Sequence, residues 1–470
     1  MTVGEELVWL RAEVGRLVLS LAESRQVTAE QGQVIAEQRQ VIEGLERRIA
    51  ELEQGSDKHP PVFVKVNRPK VSGPKQPRAK RDAKHNQARR REPPTRTVEH
   101  AFDRCPECDY QLGGKSVGYV RQVIEIPEPK PVEVVEHRVI KRYCPHCERW
   151  RSPKLELAGQ VLGRSRMGIR LVSLIAYSRA TLRQPLRQIQ AYLKTFHQLV
   201  ISEGEIVYLL DQVREATKET VEGFREQAQR SEVLHADETG WREAGRNGYI
   251  WAFSTEGAEA VRYYEYDPSR AQSVVRRILG DKFHGHLVSD FYCGYNDYEC
   301  KKQRCWTHLL RALHELKEKC SEDLETVKWA QGVRALYDEA QGWLGKAGDR
   351  GQEEREQKYV ELVSRVHALG LEHARDKPHP CCALCKRLLR HEDELFQFVL
   401  VEGLSASNNL AERSIRPLVV IRKISGGTRG PSGSKTRMAL ATLFGTWQAR
   451  GLNPFIECFT LLSRRTPSPT

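Results

Sequence analysis

The chain has no long hydrophobic run. No window in its 470 residues approaches the ~20 consecutive apolar residues of a membrane-spanning helix, which excludes a helical span. Its first residues, M-T-V-G-E-E, lack the basic-then-apolar order of a signal peptide, so a cytoplasmic protein is expected. Aromatic residues are few, and acidic residues fall short of basic ones. The 62 Asp and Glu stand against 75 Lys and Arg, for a formal charge of +13 and a pI of about 9.2. That balance favours polyanionic partners, nucleic acid first, although it also serves solubility alone. In a reducing compartment the twelve cysteines read as metal ligands or free thiols rather than disulfides. The length allows several domains and a large core.

The N-terminal segment, residues 1–55, carries heptads without proline. Leu7, Val14, Leu21, Thr28, Ile35, Ile42 and Ile49 occupy one seam position. Leu10, Leu17, Ser24, Gln31, Gln38, Leu45 and Leu52 occupy the other. This predicts a coiled coil and self-association into a homodimer or higher assembly; one long helix packed on its own protein is the alternative. Residues 56–98 form a basic linker. Between 58 and 97 it holds thirteen Lys or Arg against Asp82 and Glu92, and it is broken by prolines. It cannot bury enough apolar surface to fold alone. Clusters such as Arg89, Arg90 and Arg91 make it a candidate phosphate-contacting arm.

Residues 99–152 contain Cys105-Pro-Glu-Cys108 and Cys144-Pro-His-Cys147, flanking a segment, Arg121 to Tyr143, that alternates Val, Ile and Glu. Two C-x-x-C turns across a short sheet predict a zinc ribbon with one structural Zn²⁺, since four thiolates close the coordination sphere. Residues 153–231 read as helical. Ser202-Glu-Gly-Glu205 has the pattern of a capping box, and the helix before it makes a helix–turn–helix-like DNA-binding region.

Residues 232–300 read as strands, the first part of a catalytic core. Two short apolar runs there, V-L-H-A-D-E-T and H-L-V-S-D-F-Y, end in Asp237 and Asp290. Three strands, a helix around Ala271 to Leu279, then a strand ending in Asp is the order of an RNase H-like core. In that core the first and fourth strands lie side by side, which would bring Asp237 and Asp290 together. Period-two alternation turns Glu238 to the opposite face. Residues 301–404 are expected to be a helical insertion, and 405–450 the final helices of the core. On a helix Asn409, Glu412, Arg413 and Arg416 share a face, so Glu412 can point at the aspartates while the arginines meet phosphates. Pro417 should end or kink this helix nearby. Residues 451–470 are assigned to a C-terminal tail. Three carboxylates on a basic chain suit divalent-metal chemistry on a phosphate backbone, with Mg²⁺ or Mn²⁺ as cofactor, two per active site. Arg422 and Lys423, in a glycine-bearing basic stretch, are further candidate DNA contacts.

At this point several blocks resemble the insertion sequence 66 family of bacterial and archaeal transposases: H-A-D-E-T-G-W, S-D-F-Y-C-G-Y, C-W-T-H-L-L-R-A-L-H-E-L and N-N-L-A-E-R-S-I-R-P-L-V-V-I-R-K-I-S-G-G. The resemblance runs in order over nearly the whole chain. It implies an Asp-Asp-Glu transposase with Asp237, Asp290 and Glu412 as the triad, acting on terminal inverted repeats and target DNA in association with the nucleoid, with accessory proteins from the same element as further partners. The Cys305-Trp-Thr-His308 block leaves two readings open. Cys305 and His308 join Cys382 and Cys385 around a second zinc, or His308 faces DNA or the catalytic centre. Two other functional classes also stay open: a zinc-ribbon DNA-binding regulator with an inactive core, and a stand-alone metal-dependent nuclease.

Overall fold

A computed structural model describes residues 12–21, 43, 91–163, 165–281, 283–345 and 350–464. Contacts divide the chain into two units, Met1–Ile124 and Glu125–Thr470. In the first unit residues 12–21 form a helix, α1, on which Val14, Leu17 and Leu21 are all more than half exposed. The remaining heptad positions, together with Arg89 and Arg90, lie outside the described residues; Arg91 is exposed. An antiparallel bridge between Arg104 and Gln111 closes the turn that carries Cys105 and Cys108.

The second unit is mixed α/β. It opens with a small antiparallel pair, β1 (Arg142–Cys144) and β2 (Arg149–Arg151), around the second C-x-x-C turn. The strand expected over Arg121 to Tyr143 is confined to its last two residues, as residues 112–141 have neither helix nor strand. Val123, Ile124, Ile126 and Val134 are all at least 80% exposed, so none of the described residues covers one face of the alternation. Four helices follow: α2 (Ile169–Ala180), α3 (Leu186–His197), α4 (Glu203–Ala216) and α5 (Lys218–Gln229). The Ser202 hydroxyl caps α4 by accepting from the Glu205 N–H at 3.0 Å, as its sequence predicts.

The central sheet has five strands in the order β5-β4-β3-β6-β7. They are β3 (Val233–Glu243), β4 (Arg246–Ser254), β5 (Arg262–Asp267), β6 (His286–Ser289) and β7 (Lys301–Arg304), with α6 (Gln272–Leu279) between β5 and β6. The β3–β4–β5 pairs are antiparallel, and β6 and β7 run parallel to β3. Ala244 and Gly245, both at positive φ, make the tight turn from β3 to β4. The strand β7 was not expected. Its sequence, K-K-Q-R, has no apolar alternation, yet Lys302, Gln303 and Arg304 are buried. Their polar groups are satisfied. For example, the Gln303 amide donates to Leu395 O and accepts from the Phe398 N–H.

Helices α7 (Trp306–Lys319), α8 (Leu324–Gly345), α9 (Gln352–His373), α10 (Cys382–Leu395) and α11 (Gln397–Leu400) fill the insertion and pack around Trp306, Trp329 and Phe396. The chain returns with α12 (Asn409–Ser425) and α13 (Pro431–Ala449). The helix α12 continues through Pro417 because Ile415, Leu418 and Ile421 are buried against Trp241, Ile250 and Ala252 of the sheet. The expected tail carries α14 (Pro454–Ser463), whose Cys458 and Leu462 join the core beside α2. Leu234 and Ala236 face that core, so their neighbours His235 and Asp237 face the opposite side of β3. No helix among the described residues is long and apolar enough to cross a membrane.

Candidate active site

The site is set by the parallel pairing of β3 with β6. His235 is in register with Val288, so two residues further on Asp237, still within β3, and Asp290, just past the end of β6, come side by side. Asp237 Oδ1 accepts the Glu238 N–H at 3.0 Å, and Asp290 Oδ1 accepts the Tyr292 N–H at 2.9 Å, which orients both carboxylates. Glu412 lies in the first turn of α12, and its charge, like that of Asp290, acts on Asp237. The strand register thus sets Asp237 beside Asp290, and Glu412 lies near enough for its charge to reach Asp237; among the described residues the ligand atoms of these three acids do not all come within 4.8 Å of one another.

Asn408, immediately before α12, makes the junction. Its amide donates to Ala236 O at 2.7 Å, its Oδ1 meets His235 Nδ1 at 3.2 Å, and its N–H points to Cys305 Sγ at 3.1 Å. One buried residue, through its side chain and its backbone N–H, therefore ties β3, the start of α7 and the start of α12. Sequence reasoning used its neighbour Asn409 and missed Asn408. Its signal was a polar residue at a helix start with no need to cap it, for α12 has no side-chain cap.

Electrostatics mark the cluster. Burial, then the nearby Glu238 and Asp290 and more weakly Glu412, push the Asp237 carboxyl up to about 8. Glu238 points the other way, with its side chain only 2% exposed. Burial raises its carboxyl, while it accepts from Tyr295 Oη at 2.6 Å and from Arg270 Nε at 3.1 Å. The Arg270 guanidinium also lies 3.7 Å over the Tyr292 ring. Across the site His308 Nε2 is 3.6 Å from Glu412 Oε1. Contact with Cys305 raises the His308 imidazole above its ordinary range, against the opposing effect of burial. Burial alone would raise the Cys305 thiol, but the nearby His308 and the Asn408 N–H that it accepts at 3.1 Å hold it low, while His308 Nδ1 itself is buried without a hydrogen-bond partner.

A second support holds Asp290 from behind. The fully buried Arg304 donates to Asp290 O at 2.8 Å, to Asn296 Oδ1 at 2.9 Å and to Glu394 Oε2 at 2.6 Å. Although burial opposes it, His391 and Arg304 hold the Glu394 carboxyl down to about 2. Arg304 therefore links the insertion to the strand end that bears Asp290.

Of the predicted DNA contacts, Arg413, Arg416 and Lys423 are exposed on α12. Arg422 instead turns inward and donates to Thr239 Oγ1 at 3.1 Å and to Gly240 O. Among the described residues Cys305 and His308 group with Glu412 rather than with Cys382 and Cys385. The Cys382 and Cys385 thiols face Ala374 O and Leu369 O. In both C-x-x-C turns, backbone N–H groups just after the first cysteine lower its thiol, Cys105 in one and Cys144 in the other. The residues that follow the turns, Asp109 and Glu148, both take positive φ.

The carboxylates fit a divalent cation. Glu412 Oε1 is buried without a hydrogen-bond partner, and burial and neighbouring carboxylates disfavour the ionised form of Asp237 in the absence of a compensating charge. The C-x-x-C turns fit zinc by donor chemistry, each presenting thiols whose first member is already acidified.

Comparison with known proteins agrees with this geometry. A family described as "Transposase IS66 family" matches residues 164–436, which include Asp237, Asp290 and Glu412. The chain is 24% identical over 226 residues to the "Uncharacterized protein y4qI" of Sinorhizobium fredii (strain NBRC 101917 / NGR234). That match covers 44% of this chain and 41% of the relative, so the chain spans well under half of the relative's length. Because the family match takes in more than half of the 470 residues, the chain belongs to the IS66 family of transposases.

Proposed function

We propose that the protein is a DNA transposase that binds the terminal inverted repeats of its element and carries out metal-dependent phosphodiester hydrolysis followed by strand transfer. The observation that supports this reading is the register that sets Asp237 beside Asp290 at one end of the parallel β3–β6 pair, with Glu412 near enough for its charge to act on Asp237. The sheet order supports an RNase H-like core, with the strand bearing Asp237 central and flanked by the strand that leads into Asp290. Asp237, Asp290 and Glu412 would hold two divalent ions, Mg²⁺ or Mn²⁺. When bound, such ions supply activation of the attacking oxygen and stabilisation of the leaving one.

The reaction balances without a covalent intermediate. In the first step water bonds to phosphorus at the element's end, the 3′-oxygen leaves, and a 3′-OH is set free. In the second that hydroxyl attacks a phosphodiester of target DNA, so one such bond forms as another breaks. The chain's own residues orient the carboxylates through the Asn408 and Arg304 contacts. Arg413 and Arg416, exposed on the same helical stretch as Glu412, and Lys423 are the proposed phosphate contacts, with α3 and α4 as a DNA-binding helical pair. Cys105, Cys108, Cys144 and Cys147 are proposed as ligands of one structural zinc, which predicts about one zinc per chain in pure protein. The exposed apolar residues of α1 support a coiled-coil assembly, which would hold two element ends together.

The test is a joining assay with element-end DNA and a target plasmid, comparing wild type with Asp290→Asn. The reading requires cleavage and joining by wild type and neither by the variant. Cleavage without joining would make the protein a nuclease, and binding without either step would make it a regulator.

A further inference from the structure

Near the carboxylates one group has no part in the three-acid scheme. His308, in the first turn of α7, presents Nε2 to Glu412 Oε1 at 3.6 Å. That separation is too long for a hydrogen bond. It is close to the spacing of neighbouring ligands on one ion, since metal–ligand bonds of about 2.1 Å set adjacent donors roughly 3 Å apart. Glu412 Oε1 is buried and accepts no hydrogen bond, although it faces an imidazole. The donor atoms of Cys305, His308 and Glu412 all lie within 4.8 Å of one another. Cys305 Sγ, in contrast, already accepts the Asn408 N–H at 3.1 Å and is wholly buried, which suits a support for the ring rather than a ligand.

We propose that His308 is a protein ligand of the divalent-metal centre, supplying nitrogen beside the oxygens of Asp237, Asp290 and Glu412. This rests on the carboxylate reading above and extends it to ligand set and metal preference. An all-oxygen site suits Mg²⁺, whereas an imidazole raises affinity for Mn²⁺ and later first-row ions. His308 is then distinct from the arginines of α12. Its loss changes which ion binds, while theirs changes how tightly DNA is held.

The experiment uses the full chain and Mn²⁺ alone as the probe. Mn²⁺ binding is titrated by electron paramagnetic resonance, and pulsed measurements on the loaded protein read nitrogen coupling to the ion. Wild type should show directly bound nitrogen, and growth on ¹⁵N-histidine should change the pattern without any substitution. His308→Ala should lose the coupling and weaken Mn²⁺ binding on the order of tenfold, with a smaller effect on Mg²⁺. Mn²⁺ that binds, is lost in Asp237→Asn and shows no histidine nitrogen overturns the inference and leaves the carboxylate site standing. Nitrogen coupling that persists in His308→Ala also overturns it. If wild type binds no Mn²⁺ that Asp237→Asn abolishes, the carboxylate reading itself fails, and the inference with it.

Discussion

Asp237 should make the metal-free protein less stable as the pH rises. In an unfolded chain an Asp titrates near 3.9, whereas here burial and the neighbouring carboxylates push it to about 8. Between those values the folded protein keeps a proton that the unfolded chain has released. Stability is therefore fully present below about pH 4 and falls as pH rises through the window, by about 1.4 kcal/mol per unit. Over about four units the ceiling is about 5.6 kcal/mol. Asp237 keeps some contact with water, so screening trims the expected loss to about 3 kcal/mol. Asp237→Asn cannot titrate, and its carboxamide can still accept the Glu238 N–H. Denaturation of both proteins in EDTA from pH 5 to 8.5 should show the variant more stable by about 3 kcal/mol at the alkaline end, with the gap narrowing as the pH falls. Mn²⁺ should restore wild type at high pH and leave the variant unmoved, because a ligand that binds only the folded site stabilises it by mass action. Parallel pH slopes for the two proteins would refute the reasoning, since they would mean that Asp237 ionises freely in the apo fold.

Three further outcomes follow from the same geometry. Arg304→Met should cost about 3 kcal/mol in urea denaturation by removing one of the cations on Glu394, which keeps His391 and Lys302, and the donor to Asp290 O and Asn296, and Glu394→Gln should recover part of it; because Glu394 is held down to about 2, its own contribution is present above about pH 4 and lost as the pH falls towards 2. Gly427→Ala should lower the melting temperature with a loss of at least about 2 kcal/mol, because φ is +125° there and an added Cβ would strike Arg242 O. Arg416→Ala should weaken DNA binding and reduce its log–log salt slope by about one, whereas Arg422→Ala, which removes the contacts to Thr239 and Gly240, should act on thermal stability.

The acids were legible because their surroundings obey simple periods. Alternation along V-L-H-A-D-E-T separates Asp237 from Glu238: His235, on the side of Asp237, meets Asn408, whereas Glu238 accepts from Tyr295. Helical spacing likewise places Glu412 beside exposed Arg413 and Arg416. What was hidden is polar burial. The strand β7 turns Lys302, Gln303 and Arg304 inward, and nothing in K-K-Q-R announces that distant carboxylates and carbonyls will satisfy them. Asn408 was hidden for the same reason, since its three partners come from segments more than a hundred residues earlier. The helix through Pro417 and the helix α14 in the expected tail were missed because tertiary packing outweighed local breakers and position.

The reach of Asn408 has a consequence for the order in which the protein becomes competent. Both aspartates are translated well before the five helices of the insertion, and the amide that pins Glu412 against them comes after all of these. A nascent polypeptide halted at α11 would own two of its acids and lack the third. On the proposed reading, the acidic centre is therefore completed only after all five insertion helices have been translated.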